Sequence, residues 1–163
     1  MRTREVWRIQ RAGALDRLER HTDTLPDPGP GEARVIVKAI GLNFADIFAC
    51  LGLYSATLAG AFVPGLEFAG VMEALGPAVP PPDQRGEPPH AIRPGDRVIG
   101  LTRFGAYATA VNLGVHYLRP IPPEWSFAEG AAFPVQALTA WYGLTELGAL
   151  EPGDSVLVHS AAG

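Results

Sequence analysis

Few side chains in this sequence can do chemistry, and they are widely spaced. Cys50 is the single cysteine of the 163-residue chain, which excludes an internal disulfide and any cysteine-based metal cluster. His21, His90, His116 and His159 show no ligand-like spacing, so each reads as a surface or loop histidine. Asn43 and Asp46 stand behind Gly41 at the spacing of a helix N-cap and its reciprocal partner, and Ser126-Phe127-Ala128-Glu129 has the form of a capping box. Arg93-Pro94-Gly95-Asp96-Arg97 and Glu151-Pro152-Gly153-Asp154-Ser155 are near copies, each placing Pro and Gly at the centre of a turn that feeds a Val-rich strand.

Composition narrows the scaffold that must position these groups. With 47% hydrophobic residues and 18% charged ones, the chain can bury a core. Its 19 glycines and 16 prolines call for many turns, as in barrel-like β architectures. A net charge of −4 with no long basic cluster argues against a nucleic-acid partner. The charged N-terminus carries no apolar secretory segment, so the cytoplasm is the expected location. The charge-free run from Ile47 to Leu66 matches the roughly 20 residues of a bilayer span. Gly52, Gly60, Pro64 and Gly65 break it, and Asp46 and Glu67 bracket it, so no transmembrane segment is expected.

Periodicity orders the elements. Two apolar patches between residues 5 and 21 suggest a hairpin, and Ala33 to Ile40 reads as a β-branched strand. Phe44, Ile47, Phe48 and Leu51 then fall at helical spacing, predicting a short amphipathic helix from Phe44 to Leu51. Leu66 to Leu75 reads as a strand bent at Gly70, and residues 77 to 95 as a Pro-rich loop. A helical region divided by Pro134 carries Phe133, Ala137, Trp141 and Leu144 on one face and ends at Gly148. Val156 to His159 is expected to be a short buried strand, so that a βα unit opens after a β-rich domain.

Five blocks carry a resemblance: Gly41-Leu42-Asn43-Phe44-Ala45-Asp46, Gly52-Leu53-Tyr54, Pro64-Gly65-Leu66-Glu67-Phe68-Ala69-Gly70-Val71, Pro94-Gly95-Asp96-Arg97-Val98, and Val156-Leu157-Val158-His159-Ser160-Ala161-Ala162-Gly163. In this order and spacing the sequence resembles the medium-chain dehydrogenase/reductase superfamily, and within it the zinc-independent quinone-oxidoreductase branch with its synaptic-vesicle-associated relatives. The resemblance implies a mainly β, GroES-like domain over residues 1–125. Linking helices and the first strand of a truncated Rossmann domain would follow over residues 126–163. The chain alone is then expected to be inactive.

The zinc alcohol dehydrogenases of that superfamily carry metal ligands where this sequence has Asn43, Leu66 and Val135, none of which replaces a thiolate or imidazole. The resemblance therefore implies NADPH, with NADH not excluded, and no zinc. It implies hydride transfer to a quinone or α,β-unsaturated carbonyl, whose conjugation spreads charge onto an oxygen that hydrogen-bond donors can stabilise. Asn43 and Tyr54 are the implied catalytic residues. Asn43, Phe44, Ala45, Asp46, Thr139, Ala161, Ala162 and Gly163 are the implied cofactor contacts, and the full-length parent is a candidate homodimer. Phe48 stands where many relatives carry a second tyrosine. The rival readings are a noncatalytic interaction module or inactive truncated paralogue and, more weakly, a zinc-type alcohol dehydrogenase.

Overall fold

The computed structural model describes residues 1–77 and 92–159, and the fold it shows is mostly β. Strand β1 (Arg2–Ile9) pairs antiparallel with β2 (Leu18–Leu25) in the expected hairpin; the first apolar patch, Val6 to Ile9, ends β1, whereas of the second, Leu15 to Leu18, the first three residues form a 3-10 turn and only Leu18 enters β2. Arg4 and Arg8 reach across this hairpin to Asp23.

A 5-stranded antiparallel sheet forms the body, with β6 (Ala110–Gly114) and β7 (Leu118–Pro120) at its edges. Between them lie β3 (Glu32–Ile40), β4 (Glu67–Leu75) and β5 (Arg97–Leu101), in the order β6-β3-β4-β5-β7. The alternating apolar residues of these strands meet in one cluster that includes Val35, Phe68, Met72, Val98, Val111 and Leu118. Isolated bridges, Val6 to Ala108 and Ile9 to Phe62, fasten the hairpin to this body. Gly70 sits opposite a register shift between Val37 and Ala39. A Cβ there would press into the Ile36 carbonyl and lie 2.8 Å from Val35 Cγ1, so only glycine lets β3 and β4 approach so closely where the sheet bends.

Helix α1 (Phe44–Leu51) runs over the predicted residues and is ended by Gly52 in the left-handed conformation. Its burial is the reverse of what its apolar stripe suggests. The buried face is Asp46, Ala49 and Cys50, whereas Phe44 is 77% exposed and Phe48 45% exposed. The small side chains let the helix lie close against Ile9 and Phe62, and the aromatic residues point outward.

Helix α2 (Phe127–Ala132) begins at the predicted capping box, where Ser126 Oγ accepts from the Glu129 N–H at 3.2 Å and Glu129 Oε2 accepts from the Ser126 N–H at 2.7 Å. It packs on the sheet through Ala131, Ala69 and Ile121. Helix α3 (Pro134–Tyr142) follows with Pro134 in its first turn, and a wider turn over Gly143–Leu147 continues it. Of the face expected from Phe133, Ala137, Trp141 and Leu144, Ala137 is half-buried and the other three are exposed, with Phe133 edge-on to Trp125.

Val156 to His159 do not form the expected strand. Val156, Leu157 and Val158 are all exposed, and no strand among the described residues pairs with them, so their β propensity has no ladder to join. Most of the Pro-rich loop, His90, and Ala161, Ala162 and Gly163 lie outside the described residues. No helix among those described is long and apolar enough to cross a membrane, and the run from Ile47 to Leu66 divides into α1, a turn-rich segment and the approach to β4.

Candidate functional site

The chain leaves β3 at Ile40, turns through Gly41 and Leu42, and enters α1 at Asn43. Asp46 closes its half of the predicted capping pair, accepting from the Asn43 N–H at 3.0 Å. Its carboxylate is 4% exposed and also accepts from the Tyr107 hydroxyl at 3.2 Å. Burial pushes the Asp46 carboxyl above its ordinary range, against the pull of the Asn43 N–H and Tyr107 hydroxyl. Burial and the neighbouring Asp46 likewise push the Tyr107 phenol well above its usual value. Asp46 is thus turned into the core, where it holds the start of α1 to the loop before β6.

The Asn43 side chain faces the Asp46 N–H without closing a short cap hydrogen bond. Its Nδ2 donates instead to Glu67 Oε1 at 2.9 Å. Glu67, the first residue of β4, is fully buried, and its other oxygen, Oε2, accepts from the Val135 N–H at 2.8 Å. That N–H belongs to the first turn of α3, where backbone donors lack partners within the helix and favour a negative charge. Space for the carboxylate comes from Gly41, whose missing side chain would collide with Glu67 Oε1 and Cγ and lie 2.5 Å from the Ala131 carbonyl oxygen.

Asn43 and Val135, two of the three positions at which the resemblance would set zinc ligands, therefore converge on one carboxylate. Glu67 was not among the residues singled out from the sequence. The signal was present, since Glu67 is a charge flanked by Leu66, Phe68, Ala69 and Gly70 at the start of β4, and a charge among apolar neighbours requires partners. Among the described residues, no group of three His, Cys, Asp or Glu side chains could hold a metal ion.

The other predicted residues are placed as follows. Phe44 projects outward and stacks on Phe48 with centroids 6.5 Å apart, and Ala45 is half-buried beside it. The Tyr54 ring is half-buried against the cluster of Ile9, Ala49, Cys50 and Phe62, so packing accounts for its position. Thr139 is exposed on α3, one turn beyond Val135 on the same helix face. It lines an open, apolar groove of about 540 Å³ with Leu138, Trp141, Tyr142 and Leu147. Cys50 is buried, and burial together with the Asp46 charge raises its thiol pKa, which suits an inert core residue.

Residues 29–137 match the alcohol dehydrogenase GroES-like domain. The pikromycin polyketide synthase component PikAII of Streptomyces venezuelae is 40% identical over 165 residues, covering 97% of this chain and 4% of that protein. The human synaptic vesicle membrane protein VAT-1 homolog-like protein superposes with a TM-score of 0.87 at 34% identity, over 99% of this chain and 49% of its own. The quinone oxidoreductase of Thermus thermophilus, also known in complex with NADPH, superposes with a TM-score of 0.73 at 35% identity, over 98% of this chain and 46% of its own. CurK enoyl reductase does so with a TM-score of 0.78 at 32% identity, over 96% and 48%. The chain thus spans about half the length of its solved relatives and a smaller share of the curated ones. On this domain match and these structural likenesses, the chain belongs to the alcohol dehydrogenase GroES-like domain family, with homologues in the zinc-independent quinone-oxidoreductase branch of the medium-chain dehydrogenase/reductase superfamily.

Proposed function

We propose that this chain is the N-terminal part of an NADPH-dependent reductase that acts, without zinc, on a conjugated carbonyl: an enone, an enoyl thioester or a quinone. The observation that carries this reading is the Asn43 carboxamide, held by Glu67 at the mouth of α1 beside exposed Phe44. The kinship with a quinone oxidoreductase that binds NADPH and with an enoyl reductase supports it.

The residues present fit the nicotinamide end of a dinucleotide. Asn43 offers an amide, Thr139 an exposed hydroxyl, and the Phe44–Phe48 pair an apolar platform. NADPH, when bound, supplies the hydride. Asn43 donates to the substrate carbonyl oxygen as negative charge develops there. Phe44 and Phe48 cover one wall of the site and keep water from it. Asp46 and Glu67 hold the positions of these groups without touching the reactants. Residues 1–125 then form the substrate-binding domain, and α3 leads toward a nucleotide-binding domain to which Ala161, Ala162 and Gly163 would belong.

The test is steady-state turnover of the full-length protein with NADPH and, separately, an enoyl thioester and a simple quinone, in the presence of a metal chelator. Turnover that resists the chelator and falls on Asn43→Ala, with folding retained, is the expected result. A protein that holds NADPH but reduces neither substrate class is a noncatalytic binding module.

A further inference from the structure

Glu67 is the only fully buried carboxylate among the described residues, and in the reduction proposed above it touches no reactant. Both of its oxygens accept from N–H groups, one on Asn43 and one on Val135. A carboxylate can only accept, so the nitrogen of the Asn43 carboxamide must be the atom facing it. The carboxamide oxygen is thereby left on the side of the Asp46 N–H, within the capping box. Nδ2 has two protons, and Glu67 takes one. No second partner for Nδ2 stands among the described residues.

We propose that Glu67 is a positioning residue that fixes Asn43 as a hydrogen-bond donor toward the substrate and couples that orientation to the first turn of α3. The proposal rests on the functional reading above, because it assigns the donor a use in that reaction. Its physical content is a donor–acceptor match. Two donors, Asn43 Nδ2 and the Val135 N–H, face two acceptors on one side chain. Glutamine at this place has one acceptor and one donor, so it can serve Val135 only by turning an N–H toward Asn43. The Asn43 carboxamide must then rotate, which removes its donor from the substrate and sets it against the Asp46 N–H.

The reciprocal change repairs the match. Asn43→Asp alone sets two carboxylates at hydrogen-bond distance, and like charges this close cannot both ionise without penalty. One carboxyl then has a folded pKa above its unfolded value. Stability in that variant is therefore retained below the unfolded pKa and lost as pH rises through the folded one. When Asn43→Asp is combined with Glu67→Gln, the glutamine N–H donates to the introduced carboxylate and the glutamine oxygen accepts from Val135. Every group is paired again, but the cleft has lost its donor.

The experiment is a double-mutant cycle on the full-length protein, reading unfolding equilibria across pH and, for each variant, kcat and KM with NADPH and an enoyl thioester. The expected results are a coupling of at least about tenfold in the unfolding equilibrium constant at neutral pH, and a loss of stability with rising pH in Asn43→Asp that exceeds the wild-type loss due to Asp46 and returns to the wild-type slope on the second change. Glu67→Gln is expected to lower kcat about tenfold with KM within about twofold, the signature of a contact made only in the transition state. The stable double variant is expected to remain as slow as Asn43→Asp. Additive unfolding effects overturn the proposal, as does a Glu67→Gln protein with wild-type kcat. Coupling lost beside normal wild-type turnover sinks the positioning role alone, whereas a wild-type protein that turns over no substrate sinks the functional reading and the catalytic half of the proposal with it.

Discussion

Replacing Gly41 by alanine is a one-methyl change that probes the centre of this site. Gly41 is buried and does not lie in the left-handed region, so the substitution adds no backbone strain and acts through sterics alone. The new Cβ would lie 2.5 Å from the Ala131 carbonyl oxygen, which is backbone at the end of α2 and cannot swing aside, and would overlap Glu67 Oε1 and Cγ. Glu67 must then leave its slot and give up the Asn43 and Val135 hydrogen bonds, each about 1.5 to 3 kcal/mol for a charged acceptor. Overpacking adds about 1 to 3 kcal/mol. The two effects share one displacement and do not add in full, so the expected loss is about 3 to 5 kcal/mol. Equilibrium urea unfolding of the full-length protein reads it, with Gly60→Ala as control, since a Cβ at Gly60 meets nothing within 4 Å. A loss for Gly41→Ala below about 1 kcal/mol would show that the slot yields and that Glu67 is not held as described.

Three further outcomes follow from individual residues. Asp46 has its folded pKa raised above its ordinary value, so its contribution to stability is greatest below that value and is lost as pH rises; the deficit of Asp46→Asn is expected to shrink between about pH 3 and pH 7 in a series of urea unfolding curves. At Asp23, burial opposes ionisation but Arg4 and Arg8 outweigh it and hold the carboxyl below its ordinary pKa. Asp23→Asn should therefore lower stability by about 1 kcal/mol at neutral pH and by almost nothing near pH 2, as monitored by thermal melts. Phe44→Ser should leave stability within about 0.5 kcal/mol, because the ring is exposed, while raising KM for an apolar enoyl thioester several-fold; an unchanged KM would remove Phe44 from the substrate wall.

Elements whose local rules agree with their tertiary setting were legible in the sequence. The β-branched run of β3, the span of α1 and the Ser126–Glu129 capping box all lie where periodicity and capping chemistry place them. The orientation of α1 was not, because an apolar stripe ordinarily marks the buried face, and here Asp46, Ala49 and Cys50 occupy it. Val156 to His159 carry strand propensity, but propensity needs a neighbouring ladder, and none stands beside them among the described residues. Asn43 was legible as a cap and, through the family resemblance, as a site residue, whereas its tie to Glu67 joins elements separated by 24 positions, which no local pattern encodes.

The most direct test of hydride transfer is isotopic. The full-length protein is incubated with NADPH carrying deuterium at both hydrogens of nicotinamide C4, an enoyl thioester and a metal chelator, and the product is analysed by mass spectrometry. Reduction of a conjugated carbonyl without zinc predicts one deuterium on the carbon β to the carbonyl, in the amount of NADPH consumed. Substrate recovered unchanged beside unconsumed NADPH, or product formed only once zinc is restored, would contradict it.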